Sequence, residues 1–316
     1  MKRRKFIENA ALGSLALGLT SFKRDDLPAG SEIPKRTLGK TGEKLSIIGF
    51  GGIMLNDNPQ EYANEIVAKA FDAGINYFDI APSYGNAQSK LGPALKPYRK
   101  DCFLACKTHE RSAAGAEKEL NESLSIFETD HFDLYQLHAL SSTEDVEKVF
   151  GPSGAMEVFL KAKQQGKLKH LGFSAHSVDA ALLAMQKFDF DTILFPINFN
   201  CWDEGNFGPQ VFETARSKGM GILALKAMAL TTLREGETKP YKNVWYRPIQ
   251  DDEMARLALR YTLSKEITAA IPPGDAGFFW KAVEVARDFR PITLAESERL
   301  KSLVSGNPPI FKHPMA

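Results

Sequence analysis

Apolar residues recur along this chain in two alternating rhythms. Short runs rich in Ile, Leu, Phe and Ala predict strands over 76–80, 101–107, 131–138, 169–174, 192–195, 221–226 and 267–271. Between them, apolar positions return every three or four residues. That spacing predicts helices over 61–73, 89–95, 113–127, 143–165 (broken at 151–154), 178–187, 208–218, 251–264 and 278–288. Gly74 sits where the first helix needs a C-terminal cap. Upstream, 35–40 and 44–50 flank a turn at 39–43 and predict an N-terminal β-hairpin, the second run doubling as the first strand of the series. A last helix over 293–303 follows Pro291.

Eight strand-then-helix units with short connections imply a parallel sheet. Their span of roughly 250 residues suits one closed barrel. The expected fold class is therefore α/β: a (β/α)8 TIM barrel with an N-terminal β-hairpin and an extra C-terminal helix. An open doubly wound sheet would want a GxGxxG turn after the first strand, and none is there.

Barrel strands present their C-terminal residues to one shared face. The second strand ends at Asp79, the third at Lys107 and the fourth at His138; Tyr84 follows Asp79 on a Pro/Ser/Gly-rich loop. These four residues should converge. With Lys107 facing inward, strand parity turns Phe103 and Ala105 inward too, and Cys102 and Cys106 outward. A free phenol has a pKa of about 10. An ammonium beside it stabilises phenolate, and a carboxylate beside the ammonium keeps that charged and fixed. Tyr84 is thus expected as general acid, Lys107 as its tuner, Asp79 as the lysine's partner, and His138 either to hydrogen-bond a substrate oxygen or to help relay the proton. A phenol protonating an oxygen while hydride reaches carbon is carbonyl-reduction chemistry. No side chain supplies hydride, so a nicotinamide cofactor is implied.

At these residues the chain resembles the aldo-keto reductase family. NYFDIAPSYG, FLACKT and DLYQLH look like that family's three catalytic segments. The resemblance covers about 36–288 and implies a (β/α)8 barrel carrying NADPH across its top, with the family's tetrad falling on Asp79, Tyr84, Lys107 and His138. The cofactor side departs from the family pattern. Where the family has Ser-Asn after strand five, only Ser174 carries over. Phe199, or the strand end near Lys226, is expected to stack on nicotinamide. Gly51 and Gly52 allow close backbone approach. Gly274 and the next helix start are expected to hold the pyrophosphate. The family's Lys-Ser and Arg clamp on the NADP 2′-phosphate is replaced by Pro272, Pro273, Gly274 and Asp275, with Lys281 beyond. NADP is the first expectation by family habit, with NAD its rival. Met54 and Leu55, Trp202, and the loop bearing Tyr241, Trp245 and Tyr246 are expected to line the substrate pocket, which takes a small carbonyl or alcohol. A regulatory subunit resembling the potassium-channel β subunits is the other reading; the complete tetrad favours an enzyme.

Composition narrows the partners. The chain has 316 residues, 43% hydrophobic and 25% charged, with a formal net charge of +1. No basic tract lies beyond the N-terminus, so no nucleic-acid partner is expected. No apolar run reaches the length of a transmembrane helix. Of the three cysteines, Cys102 and Cys106 would lie about 13 Å apart on one strand, too far for a disulfide. With Cys201 they form no CxxC pair, so neither a disulfide framework nor a metal site is expected.

Residues 1–30 read as a separate segment and 31–316 as the barrel. Lys2, Arg3, Arg4 and Lys5 precede Phe6 and a short, weakly apolar stretch from Ala10 to Leu19. This looks like a twin-arginine export signal, implying the export machinery as a partner and a periplasmic or otherwise exported location. Free NADPH is not expected outside the cytoplasm. A protein that folds before export would carry its nucleotide with it and recycle it between two substrates.

Overall fold

The computed structural model describes residues 32–314. The export-signal expectation falls on residues 1–30, outside the described residues. Chain contacts place a boundary after Ser31, and Glu32–Ala316 form one unit.

Eight parallel strands run in ring order: β3 (Phe50–Gly51), β4 (Tyr77–Asp79), β5 (Phe103–Thr108), β6 (Phe132–Leu140), β7 (Leu168–Ala175), β8 (Thr192–Pro196), β9 (Gly221–Leu225) and β12 (Ala269–Ile271). A parallel bridge between Ile48 and Ala270 joins the first strand's approach to the last, closing the barrel. The Gly49 N–H donates to the Ala270 carbonyl at 3.0 Å there. This is the expected TIM barrel.

The hairpin plugs the bottom. β1 (Lys35–Thr37) pairs antiparallel with β2 (Lys44–Ser46). Leu38 and Leu45 reach up into the barrel interior, where they meet Tyr77, Phe103, Ala105, Leu134, Leu194, Leu223 and Ala269. Burying each leucine contributes about 1.5–3 kcal/mol. The turn fits because residue 39 is glycine: at φ +51° a Cβ there would lie 2.3 Å from the Gly221 nitrogen. Parity holds as expected, with Phe103 and Ala105 inside the barrel and Cys102 and Cys106 packed in the outer shell against the helices.

The run 44–50 proves to be two elements, not one. The chain leaves the hairpin after Ser46, touches the last strand at Ile48 and pairs with β4 only from Phe50. Gly49 lets the chain pass close to the Tyr77 ring, which a Cβ there would strike at 2.5 Å. The connection 227–250 also holds structure that periodicity did not predict: β10 (Ala229–Thr232) pairs antiparallel with β11 (Tyr246–Pro248). A short helix, Phe199–Asp203, follows β8, with the Asn198 side chain accepting from the Asn200 and Cys201 N–H groups. After the last helix, Leu294–Val304, the tail runs back over the barrel. Asn200 Nδ2 donates to the Asn307 carbonyl at 2.6 Å, and Thr231 Oγ1 to that of Pro308 at 2.8 Å. Among the described residues, no helix is long and apolar enough to cross a membrane.

Candidate active site

Three strands and one loop deliver four polar side chains to one end of the barrel. Asp79 is the last residue of β4, and Lys107 the second last of β5. Lys107 has no solvent exposure, and its ammonium donates to the Asp79 carboxylate, to the Ile80 carbonyl at 3.2 Å and to the Tyr84 hydroxyl at 3.3 Å. Tyr77 and Gln136 also donate to Asp79, at 3.3 and 3.4 Å. The Tyr84 ring stands edge-on to His138, centroids 5.7 Å apart.

His138 owes its position to a β-bulge. Register against β7 shifts between Leu137 and Leu140, and Ala139 takes φ +52°. The Ala139 N–H, freed from the ladder, donates to Ser174 Oγ at 2.7 Å. A bulge re-aims the side chains beside it, and here His138 lines the cleft with its Nδ1 3.3 Å from Ser83 Oγ.

Electrostatics partly correct the expectation. Burial alone would lower Lys107, but Asp79 and Tyr84 outweigh it and the lysine stays charged, raised above its ordinary value. Burial raises Asp79 in spite of Lys107. Tyr84 was expected below the usual phenol value; burial instead raises it, and Lys107 only offsets that in part. The hydroxyl is thus held protonated, the state a proton donor needs. Burial, then Lys107 and the neighbouring imidazoles, hold His138 well below 6.5, so near neutral pH it is an uncharged donor.

The cleft encloses about 200 Å³. Gly51, Asp79, Tyr84, Lys107, His138, Ser174, Lys226, Trp245 and Gly274 all line it, as the sequence places them. Six other expected residues lie off it, among them Leu55, buried in the core, and Tyr241, packed edge-on against Phe278. Gly52 packs beneath the site, where a Cβ would strike Ile80 at 2.5 Å. Met54 is buried in the outer core, and its neighbour Ile53 lines the cleft in its place. Phe199 is 2% exposed and packs edge-on to Tyr261. Trp202 packs on Phe212, with the Lys265 ammonium 3.7 Å from its ring. The short helix Phe199–Asp203 turns both aromatics away from the barrel mouth.

Some site residues escaped sequence reasoning. Gln136 was legible by parity, two residues before His138 on the same strand face. His176 and Asn243 line the cleft from loops. Phe311 comes from the tail: its ring lies 5.4 Å from His176, 5.8 Å from Trp245 and 4.9 Å from Phe207. Nothing local in the sequence signals that contact. The loop bearing Asn243 is tied across the mouth to the loop after β3, through Lys242–Asp57 at 2.9 Å and Asn56–Asn243 at 3.3 Å. Among the described residues, no cluster of His, Cys, Asp or Glu suits a metal ion.

The lining fits a nicotinamide group at its mouth. It offers the Ser174 hydroxyl, apolar walls from Ile53, Leu194 and Leu225, and the Lys226 cation, and its one acid, Asp79, is already taken by Lys107.

The family model for the aldo/keto reductase family matches residues 47–274. L-galactose dehydrogenase of Arabidopsis thaliana is 27% identical over 277 residues, covering 76% of this chain and 84% of that one. An aldo-keto reductase of Bacillus subtilis is 30% identical over 162 residues, 45% of this chain and 47% of its own length. Among solved structures, the holo form of an aldo-keto reductase from Bacillus halodurans superposes with a TM-score of 0.66. The two are 23% identical, over 87% of this chain and 98% of that one, a likeness of fold. With the tetrad's residues gathered at a barrel mouth and the family match spanning most of the barrel, the chain belongs to the aldo/keto reductase family of oxidoreductases.

Proposed function

We propose that the chain interconverts a small carbonyl compound and its alcohol, with Tyr84 exchanging the proton. The carrying observation is the buried Asp79–Lys107–Tyr84 chain beside His138 in the cleft. A bound nicotinamide dinucleotide supplies or accepts the hydride. In the reducing direction, the Tyr84 hydroxyl donates its proton to the substrate oxygen. The Lys107 ammonium stabilises the phenolate left behind, and Asp79 holds the ammonium in place. Neutral His138 donates a hydrogen bond to the same oxygen and fixes its position.

Ser174, Lys226 and the backbone near Gly274 would hold the dinucleotide. The helix after Gly274, Ala276–Arg287, begins with Asp275 as its cap, the carboxylate accepting from the Gly277 N–H at 2.9 Å. Lys281, the remaining candidate for a 2′-phosphate, is engaged by Asp252. An acid at the helix start and an occupied lysine favour NAD over NADP, reversing the order expected from family habit. A sugar-like substrate is favoured by the half-exposed Trp245 indole in the lining and by the name of the Arabidopsis relative.

The basic, weakly apolar segment 1–30 supports export by the twin-arginine route, with the nucleotide bound beforehand and recycled. Mass spectrometry of what a gently purified, denatured sample releases is the test. Bound NAD or NADP, with turnover of aldehydes or sugars, supports the reading. Nucleotide without turnover of any carbonyl would return it to a nucleotide-binding subunit. An empty protein that also binds neither reduced nucleotide would overturn it.

A further inference from the structure

Lys226 comes directly after β9, and its place in the ring is telling. β9 is four strands from β5 in either direction, so Lys226 stands across the barrel mouth from Lys107. The two cleft lysines differ in kind. Lys107 is matched by Asp79. Among the described residues, the Lys226 ammonium has no carboxylate, carbonyl or hydroxyl partner. It lies instead over two aromatic faces, 4.8 Å from the Tyr246 centroid and 5.1 Å from that of Trp245.

The backbone there is held in a costly conformation. Lys226 has φ +68°, a region where a lysine is strained and a glycine is not. Its carbonyl is fixed by Asn198 Nδ2 at 2.9 Å and by the Ala229 N–H at 2.9 Å. Two partners therefore hold the strained turn that sends this side chain into the cleft. Burial pulls the lysine down to about 8, the direction expected of a cation that has lost water without gaining a counter-charge. A half-buried cation without a counter-charge favours a ligand that supplies one. The cleft's only other acid-base pair is internally neutral, which leaves the lining one positive charge in excess at neutral pH.

We propose that Lys226 binds an anionic oxygen group of the ligand, a carboxylate or a phosphate, on the side of the mouth opposite Lys107. The inference deepens the carbonyl–alcohol reading and rests on it. Two sources share this chemistry: the phosphates of the dinucleotide, and a carboxylate on the substrate itself, as in an oxo acid whose reacting carbonyl lies at Tyr84 and His138.

The test compares Lys226→Met and Lys226→Arg with the parent protein. Calorimetric titration with NADH and with NADPH reads the phosphate arm. Steady-state reduction of para-carboxybenzaldehyde against its methyl ester reads the carboxylate arm, and titration with para-carboxybenzyl alcohol reads it without turnover. Losing a charge-assisted contact lowers affinity about 10- to 100-fold. If the phosphate is the partner, the Met variant loses that much nucleotide affinity, the Arg variant recovers most of it, and the aldehyde preference is unmoved. If the carboxylate is the partner, nucleotide affinity stays within about threefold while the preference for the acid over the ester falls by the same 10- to 100-fold. Unchanged titrations and unchanged preference together overturn the proposal. Should the Met variant fail to fold, Lys226→Gln takes its place. Should no aldehyde be reduced, the titrations still decide on Lys226, so the two failures remain distinguishable.

Discussion

Replace Asp79 by leucine, and the Lys107 ammonium keeps only the Ile80 carbonyl at 3.2 Å and the Tyr84 hydroxyl at 3.3 Å, with no solvent exposure. Breaking one side of a buried ion pair costs about 3–5 kcal/mol. The cost has a ceiling, because the lysine can shed its proton: neutralising a lysine of ordinary pKa at pH 7 costs about 4.6 kcal/mol. At about 2–3 °C per kcal/mol for a chain of this size, Asp79→Leu should lower the melting temperature by roughly 6–14 °C. Lys107→Met strands the carboxylate instead, with only Tyr77 and Gln136 donating to it, and neutralising it at pH 7 costs about 4 kcal/mol. The double variant removes both charges and fills the space with apolar atoms. It should be far less destabilised than the two single losses summed, because such replacements are often neutral or stabilising. The assay is thermal unfolding at neutral pH of all four proteins, read as a double-mutant cycle. Single variants melting within about 2 °C of the parent, with additive effects, would refute the description of a charged, mutually dependent pair. All three variants should lose turnover, including the stable one, because the pair is there for the phenol rather than for the fold.

Tyr84→Phe should slow carbonyl reduction roughly 10²–10⁴-fold while dinucleotide affinity holds, measured by initial rates and titration; unchanged turnover would remove Tyr84 from the mechanism. Affinity for the anionic group at Lys226 should be full below pH 8 and fall as pH rises through about 8, because the lysine binds only when protonated and burial pulls it there. Tyr84 and Lys107 are raised above their ordinary values and do not titrate in that window, so a dissociation constant flat from about pH 6 to about pH 10 would contradict this assignment. Phe311→Ala should loosen His176 and Trp245 and raise KM roughly tenfold with kcat little changed, as expected for binding lost equally from ground and transition states; a fall in kcat alone would show that the tail acts on the chemistry.

How much of this site was legible beforehand depended on which element carries each residue. Asp79, Lys107 and His138 lie on strands, where side chains alternate with a period of two and the polar end of each run marks the mouth. That same rule sent Cys102 and Cys106 outward and would have found Gln136. Phe199 and Trp202 lie on a short helix after a strand end, where neither periodicity nor parity says which way a ring points. The sign at Tyr84 was missed for a different reason. Charge proximity can be read from residue types, but burial of the phenol competes with it, and burial is a property of the packed molecule.

The alternation of strand and helix, the parity of each strand and the chemical identity of its end are local properties, and they sufficed for the barrel and for the convergence of Asp79, Tyr84, Lys107 and His138 at one end of it. The rest arises from contacts between distant segments. Residue 49 is a glycine because the Tyr77 ring occupies the space a side chain would take. The bulge at Ala139 is completed by Ser174 on the next strand. The clasp of Lys242 on Asp57 and the reach of Phe311 to Trp245 join residues far apart in the chain. Such contacts leave no periodic trace, because each is selected by the shape of a partner surface that only the closed barrel creates.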